Sequence, residues 1–475
     1  MRRFERLDVC SECGFCGGKL CESARSTDLR NYGGIRHTAD GFDCALPITI
    51  DSHSACSFGC LYCFSDNLSG HVRAQGMDLG LGQTSLRTLE GVFSGQSQSK
   101  ASAAIRKALK YHARNELGFP CAVQLGGITD PGDNIERNQG WFLEFAEIVR
   151  KYRQPVRIST KGTTFLAPEY LKCFAKSPEL FWVAFSIISI DDDLVKRIDV
   201  GTPVPSERLK VMKALSALGV KTSLRMRPMF PKVSDSTRKH PHAYRELIER
   251  AAEAGACAIS YECGFYPSRI PVESKGKWER FTKLLGVPLK ETYAAFGSQA
   301  CIRPHHLWTE NIMHAVKEVA VKCGLTVGVS DPIWKQLSDS GCCCGIRPDD
   351  PVFGNWEREN ATHALLEAKK HGHVIRLEDV LPPWADDVLL AGMVATPAGP
   401  LGMYKAKHAT WGDHMRNTWN DPLSERSPLT YFQGAVRPVK LEDGSVGYKY
   451  VGLERKFPKH VPYWSDRLVQ GKGEL

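Results

Sequence analysis

The sequence predicts an α/β fold around a parallel sheet, with a barrel or part-barrel as the arrangement that fits best. From about residue 46 to residue 331, strand-like and helix-like patterns alternate, giving six or seven strands with helices between them. On either side the alternation is missing. Residues 1–45 form a Cys- and Gly-rich cap, and residues 336–475 gain Pro, Trp and His and predict a less regular C-terminal region. The expected domains are therefore 1–45, 46–335 and 336–475.

The elements follow from periodicity in chain order. Residues 46–51 (LPITID) form a short apolar strand. Residues 102–117 read as a helix with Ile105, Leu109 and His112 at helical spacing. Residues 121–125 form a strand that runs into Gly126-Gly127. Residues 141–151 form a helix with Phe142, Phe145 and Val149 on one face, followed by a strand at 156–160 and a short helix at 168–175. Residues 181–189 are apolar and β-rich. A helix at 206–218, a strand at 222–229, a helix at 242–254 ended by Gly255 and a strand at 257–261 continue the pattern. A helix at 310–323, closed by Gly324, and a strand at 325–329 complete it. In barrels of this kind, chemistry sits on the loops that follow the strands.

The 475 residues are 42% hydrophobic and 24% charged, a balance that supports a large core and excludes wholesale disorder. The longest apolar stretch, Val388 to Ala395, falls far below the roughly 20 residues that span a bilayer. The start, Met1-Arg2-Arg3-Phe4-Glu5-Arg6, has no apolar core, so the expectation is a cytoplasmic chain with no membrane partner. A formal net charge of +9 permits a polyanionic partner without requiring one.

Seventeen cysteines in a reducing compartment argue for metal or catalysis rather than disulfides, because ten of them are clustered. The clusters are Cys10, Cys13, Cys16 and Cys21; Cys56, Cys60 and Cys63; and Cys342, Cys343 and Cys344. The seven scattered ones, among them Cys121, Cys257 and Cys263, read as small buried hydrophobes.

The segment Cys56-Ser57-Phe58-Gly59-Cys60-Leu61-Tyr62-Cys63 directly follows the first strand. Three thiolates at this spacing can hold three irons of a [4Fe–4S] cluster, leaving the fourth iron open to a substrate or cofactor. Zinc is the rival, and it would need a fourth ligand such as His53.

This C-x3-C-x2-C segment, with an aromatic before its last Cys, resembles the radical S-adenosylmethionine (radical SAM) superfamily. The resemblance implies a partial (β/α) TIM-type barrel of the radical SAM type, a [4Fe–4S] cluster on Cys56, Cys60 and Cys63, and SAM bound at the open iron. It also implies an electron donor of the flavodoxin or ferredoxin type. Gly126-Gly127-Ile128-Thr129-Asp130-Pro131 stands where the superfamily keeps a Gly-Gly-Glu-Pro-like turn that meets the SAM amino group; the Glu is absent here. Thr129-Asp130-Pro131 followed by Glu136, Ser159-Thr160-Lys161, and Arg227-Pro228 resemble the spore photoproduct lyase-like branch. So does the run from Arg197 to Leu209, with Asp199-Val200 in place of Glu-Pro. The resemblance spans about residues 46–265 and implies Gly126, Gly127, Asp130, Lys161 and Ser186 as SAM contacts. Each has a plain structural reading as well: tight-turn glycines, a turn aspartate, a surface lysine, and a serine serving the backbone.

Cys10-x2-Cys13-x2-Cys16 repeats a ferredoxin run, but Cys21 follows at the wrong spacing for that pattern, so an iron–sulfur site and a zinc knuckle stay equally open. Cys342-Cys343-Cys344 cannot point all its side chains one way; at most two of them serve one metal, and an auxiliary site shared with the N-terminal cysteines is one expectation. His305-His306 reads as a helix entry or surface site rather than a ligand pair. From Trp411 onward, aromatics such as Trp419, Phe432 and Tyr448 alternate with basic residues. That suits either single-stranded nucleic acid or a small packed β-rich unit.

The sequence thus predicts a radical SAM enzyme that cleaves SAM reductively and takes hydrogen from a substrate, with a nucleic-acid base or nucleotide favoured. A small-molecule or peptide substrate is the first rival, and a non-catalytic zinc-stabilised nucleic-acid-binding protein the second.

Overall fold

The computed structural model describes residues 30–37, 46, 48–63, 65, 82–96, 105–106, 121–264, 266–267, 272–285, 293–295, 301–304, 306–354, 360–381, 385–387, 410–423, 427–432 and 434–452. One sheet organises them. Its strands are β1 (Ile35–His37), β2 (Ile48–Ile50), β3 (Val123–Leu125), β4 (Val156–Thr160), β5 (Phe181–Ser186), β6 (Lys221–Met229), β7 (Ala256–Cys263) and β8 (Thr326–Val329). They lie side by side in chain order from β1 to β8. β2 to β8 are parallel throughout, and only β1 runs antiparallel, against β2. Strand order that follows chain order, with a helix in most crossovers, places the helices on one face and curls the sheet toward a barrel. β8 and β1 are opposite edges, so the barrel is partial.

The helices between the strands are α1 (Leu86–Phe93), α2 (Asn134–Gln139), α3 (Trp141–Tyr152), α4 (Pro168–Ala175), α5 (Asp192–Ile198), α6 (Pro205–Ala217), α7 (Ala243–Glu253), α8 (Val272–Leu285) and α9 (His306–Lys322). Their apolar faces cover the outer side of the sheet. Phe142 lies 4.9 Å from Phe165, 5.2 Å from Phe174 and 5.8 Å from Phe181, ring centre to ring centre. Each such buried aromatic contributes about 1.5–3 kcal/mol over its exposed state. Tyr261 on β7 faces the same way, its hydroxyl donating to the Met313 carbonyl on α9.

The opposite face is polar. Gln124, Arg157, Ser159, Trp182, Ser186, Ser223, Arg225, Arg227, Ser260 and Glu262 hydrogen-bond to one another along it, and they alternate with the apolar, helix-facing residues. Parallel strands buried on both faces usually read as apolar runs, so a polar inner face marks a functional interior.

Periodicity placed these elements to within a few residues. The helix expected at 102–117 falls mostly outside the described residues; Ile105 and Arg106 are helical. The β-rich run at 181–189 stops pairing at Ser186. α9 starts at His306, four residues before the expected start, so that residue is a helix entry. The C-terminal region is more regular than expected: it contains α10 (Ala361–His371), α11 (Trp411–Asn420) and an antiparallel sheet of β9 (Val374–Ile375), β10 (Val436–Lys440) and β11 (Val446–Tyr450), in the order β9-β11-β10. Among the described residues no helix is long and apolar enough to cross a membrane.

Candidate functional site

The site is assembled at the C-terminal ends of β2 to β5, beginning with the cysteine loop after β2. Cys56, Phe58 and Cys60 are buried together and Cys63 packs against them. Backbone pairing holds the loop: Gly59 and Cys60 lie antiparallel to Asp199 and Val200, and the Leu61 amide donates to the Ile198 carbonyl. On the other side the Ser57 amide donates to Asp133 Oδ2 at 2.7 Å, and Ser57 Oγ accepts from the Asn134 amide at 3.1 Å. Asp133 also caps α2, with Oδ1 accepting from the Ile135 and Glu136 amides. A reciprocal side chain–backbone lock therefore fixes the cysteine loop to the start of α2.

A second lock holds the turn after β3. Asp51 Oδ1 accepts from the amides of Gly127, Ile128 and Thr129 at 2.8, 2.7 and 3.1 Å. Gly126 begins this turn with φ +85°, and a Cβ there would lie 2.6 Å from the Pro131 ring and 2.7 Å from the Ser159 carbonyl oxygen, so both conformation and space require glycine. Asp130 ends the turn. Its Oδ1 accepts from Thr160 Oγ1 at 2.6 Å and from the Gly132 amide at 2.9 Å, and its Oδ2 accepts from the Lys161 amide at 2.6 Å. Burial raises this carboxyl, and the three donors work against that. Asp130 thus clamps the β3 turn to the end of β4.

Lys161 follows β4 and reaches back to the cysteine loop. Its Nζ is 2.7 Å from the Tyr62 hydroxyl, 2.8 Å from Asp199 Oδ1 and 3.3 Å from Cys60 Sγ. Asp199 is fully buried, and its Oδ2 accepts from Arg208 Nη2 at 3.0 Å. Burial alone would raise the Asp199 carboxyl; Lys161 and Arg208 outweigh it and bring the pKa down to about 2. Burial pushes the Cys60 thiol up to about 12, with Lys161 acting in the opposite direction. Tyr62 is wedged between Phe230 at 5.2 Å and Phe281 at 5.9 Å. Ser186, at the end of β5, joins the same network: its carbonyl accepts from Arg208 Nη1 at 2.6 Å and its hydroxyl from Arg225 Nη1 at 3.2 Å.

Four of the expected site residues therefore sit at the mouth formed by β3, β4 and β5, and Gly127 joins them through Asp51. All three N–H groups of the Lys161 ammonium are used on the chain's own atoms, so a carboxylate arriving there displaces one of them. Glu136 lies elsewhere, buried in the outer core with Oε1 accepting from the Phe142 amide and the Tyr170 hydroxyl. Cys10, Cys13, Cys16 and Cys21 lie outside the described residues. Cys342, Cys343 and Cys344 lie against the inner face, where the Cys343 carbonyl accepts from Ser260 Oγ at 2.7 Å. Trp419, Phe432 and Tyr448 are not a stacking platform: all three are buried in the C-terminal unit, where Tyr448 donates to the Trp419 carbonyl at 2.7 Å.

Asp51 and Asp133 were not singled out from sequence, and Tyr62 entered only as the aromatic before the last Cys. Asp51 is the last residue of the LPITID run, and Asp133 stands three residues before Glu136 in the pattern of a helix cap.

Among the described residues no group of three or more His, Cys, Asp or Glu side chains converges on a single metal ion. The packed trio of Cys56, Cys60 and Cys63 suits a cluster that spreads its thiolates over separate irons. His53, the fourth ligand a zinc site would need, is buried with Nδ1 on Ser52 Oγ at 2.9 Å, its ring centre 6.3 Å from that of Trp141, and its Nε2 without a partner among the described residues.

A singly wound partial barrel with a three-cysteine loop after its first parallel strand is the architecture of a radical SAM domain. Residues 51–242 match the model of the Radical SAM superfamily. Uncharacterized proteins of Mycobacterium tuberculosis and Mycobacterium bovis are each 26% identical over 218 residues, 46% of this chain. The chain spans 58% of the length of those relatives. Among solved structures, spore photoproduct lyase complexed with dinucleoside spore photoproduct covers 63% of this chain and 78% of its own, at 13% identity and a TM-score of 0.42. Streptococcus suis SuiB covers 60% of this chain and 49% of its own, at 12% identity and a TM-score of 0.35. The superfamily works with a [4Fe–4S] cluster and SAM.

Proposed function

We propose that the protein is a radical SAM enzyme that takes a hydrogen atom from a nucleic-acid base or nucleotide. The observation that carries the enzymatic reading is the cysteine loop itself, locked on one side to the start of α2 by Ser57 and Asp133 and on the other to Asp199 by strand pairing. Cys56, Cys60 and Cys63 would hold the cluster, and Gly126, Gly127, Asp130, Lys161 and Ser186 are the candidate contacts of SAM. Bound there, the cluster would supply reductive cleavage of SAM with an electron from a donor of the flavodoxin or ferredoxin type, the chemistry that hydrogen abstraction from substrate requires.

The chain's own part is positioning and exclusion. Asp51 holds the β3 turn to the end of β2 and Asp130 holds it to the end of β4, which would preorganise the backbone offered to SAM. Lys161 supplies positive charge beside Cys60. Tyr62, Phe230 and Phe281 close the loop's outer side against water. The nucleotide reading rests on the branch-like residues Thr129, Asp130, Pro131, Lys161, Arg208, Leu209, Arg227 and Pro228.

The test is anaerobic reconstitution, iron and sulfide analysis, and addition of SAM with a strong reductant. The expected product is 5′-deoxyadenosine, formed by the intact protein and absent from a variant with Ala at Cys56, Cys60 and Cys63. A protein that takes up only zinc after reconstitution overturns the reading.

A further inference from the structure

We propose that the barrel interior anchors a phosphate group of the substrate between Arg157, Arg225 and Arg227. This rests on the radical SAM reading for the word substrate, but the anion site itself stands on separate residues.

Arg157 on β4 and Arg225 and Arg227 on β6 project onto the polar inner face. Arg157 is 2% exposed. Its Nη1 donates to Gln124 Oε1 at 2.7 Å and to Ser159 Oγ at 2.5 Å, while Nε and Nη2 are buried with no partner among the described residues. Arg225 donates through Nη1 to Ser186 Oγ at 3.2 Å, and its Nε is likewise buried and unpartnered. Arg227 has a carboxylate: its Nη2 is 3.1 Å from Glu262 Oε2. The named partners of Arg157 and Arg225 are all neutral. Three guanidiniums on this interior surface thus share one carboxylate, Glu262, which acts on Arg225 as well, and two positive charges are left over. Arg225 and Arg227 stand two residues apart on β6, and Arg157 stands on β4, two strands away in the same sheet; burial, with Arg227 and Arg157 acting in the same sense, lowers the Arg225 pKa to about 9.

A buried guanidinium with unmade hydrogen bonds is costly, and chains seldom keep two of them unless a ligand completes them. The missing partner must be an acceptor with several oxygens that carries about two negative charges. A phosphate monoester meets both conditions, and the guanidinium fork matches its oxygen spacing. A single carboxylate satisfies one fork and leaves the other charge bare.

Position supports an anchor. Ser186 takes Arg225 on its hydroxyl and Arg208 on its carbonyl, and Arg208 leads through Asp199 and Lys161 to Cys60. The phosphate would sit at one end of this hydrogen-bonded path and the cysteine loop at the other.

The experiment titrates inorganic phosphate into the full chain by calorimetry, with acetate as the carboxylate control. The same is done with Arg157→Gln, Arg225→Gln and Arg225→Lys, each checked for folding by circular dichroism, and SAM affinity is measured alongside. Saturable phosphate binding is expected, weakened roughly tenfold or more by Arg225→Gln and less by Arg225→Lys, with SAM affinity held within about twofold in Arg157→Gln, whose partners are not SAM contacts. Should Arg157→Gln fail to fold, Arg225→Gln decides the question. Adenosine 5′-monophosphate binding more tightly than glycerol 3-phosphate assigns the phosphate to a nucleotide; the reverse order assigns it to a small phosphorylated metabolite. The proposal is overturned by absence of phosphate binding to the folded wild type, which leaves the arginines to water. It is also overturned by equal binding in Arg225→Gln, by preference for acetate, or by loss of SAM binding in Arg157→Gln. None of these readouts uses reductant or 5′-deoxyadenosine, so their failure leaves the radical SAM reading standing.

Discussion

Lys161 and Asp199 form a buried ion pair 2.8 Å long, and the same lysine ammonium stands 3.3 Å from Cys60 Sγ. Asp199 is strand-paired with Cys60 through the backbone as well, so the segment after α5 is tied to the cysteine loop by main chain, and Lys161 ties the end of β4 to both by its side chain. Arg208 completes the arrangement on the other carboxylate oxygen.

Removing the carboxylate leaves two buried cations, Lys161 and Arg208, without their shared counter-charge. Asp199→Ala is expected to destabilise the protein by about 3–5 kcal/mol, read from urea denaturation at neutral pH. The Asp199 pKa lies near 2, below its usual 3.8. Its contribution to stability is therefore present in full above pH 3.8 and fades as pH falls toward 2, where the folded form is finally protonated. The variant should show less loss of stability across that acid window than the wild type. Equal acid sensitivity would remove Asp199 from the account.

Glu136 titrates in the opposite sense. Burial raises its pKa from 4.5 to about 8, against the donors Tyr170 and Phe142, and Oε2 has no partner. The folded state holds this proton more tightly than the unfolded chain, so stability falls as pH rises from about 4.5 to about 8. Glu136→Gln keeps an oxygen for the Phe142 amide and the Tyr170 hydroxyl and carries no charge at any pH. The variant is expected to match the wild type near pH 4.5, to exceed it above pH 8, and to show a flatter midpoint-against-pH curve in thermal melts. A parallel pair of curves refutes the assignment.

These two carboxylates show how far the sequence could be read. The cysteine loop, the Gly126 turn and Lys161 were legible because each follows an apolar strand, and a strand end is where a barrel gathers its chemistry. Glu136 entered only as part of the resemblance that follows Thr129-Asp130-Pro131, and α2 carries it into the core against Phe142 and Tyr170. Asp51 was hidden for the converse reason. It reads as the polar end of a strand, and its role exists only once the Gly127–Thr129 amides fold back onto it. The inner arginines were equally silent: β4 and β6 read as ordinary strands, and the alternation that sends Arg157 and Arg225 to one face acquires meaning only from neighbouring strands in register. The C-terminal aromatics went the other way, since burial of Trp419 and Tyr448 against each other is a tertiary fact.

Asp51 offers a direct test of the turn. It accepts three backbone N–H groups through one oxygen, and Asp51→Ala leaves all three without their acceptor. Hydrogen bonds to a charged acceptor are worth about 1.5–3 kcal/mol, so a destabilisation in that range is expected, with Asp51→Asn milder because its amide oxygen still accepts. SAM affinity should fall in both variants in the same order as stability. Unchanged SAM affinity in a destabilised Asp51→Ala would separate the turn from SAM binding.

Gly162, the residue after Lys161, tests the packing of the two strand-end loops. A Cβ built there lies 1.8 Å from the Gly132 carbonyl oxygen, an overlap with backbone that no rotamer relieves. Gly162→Ala must push the β3 turn and the end of β4 apart, at a cost of about 1–3 kcal/mol or more, and it should disturb the Asp130 clamp to the Lys161 amide. Gly276 in α8 is the matched control, because nothing lies within 4 Å of a Cβ at that position. Gly276→Ala is expected to be neutral or to stabilise by up to about 1 kcal/mol through helix propensity. Thermal melts of the two variants side by side make the comparison. A Gly162→Ala protein as stable as Gly276→Ala, with SAM binding intact, would mean that the loops after β3 and β4 are not in the close contact on which the position of Lys161 depends.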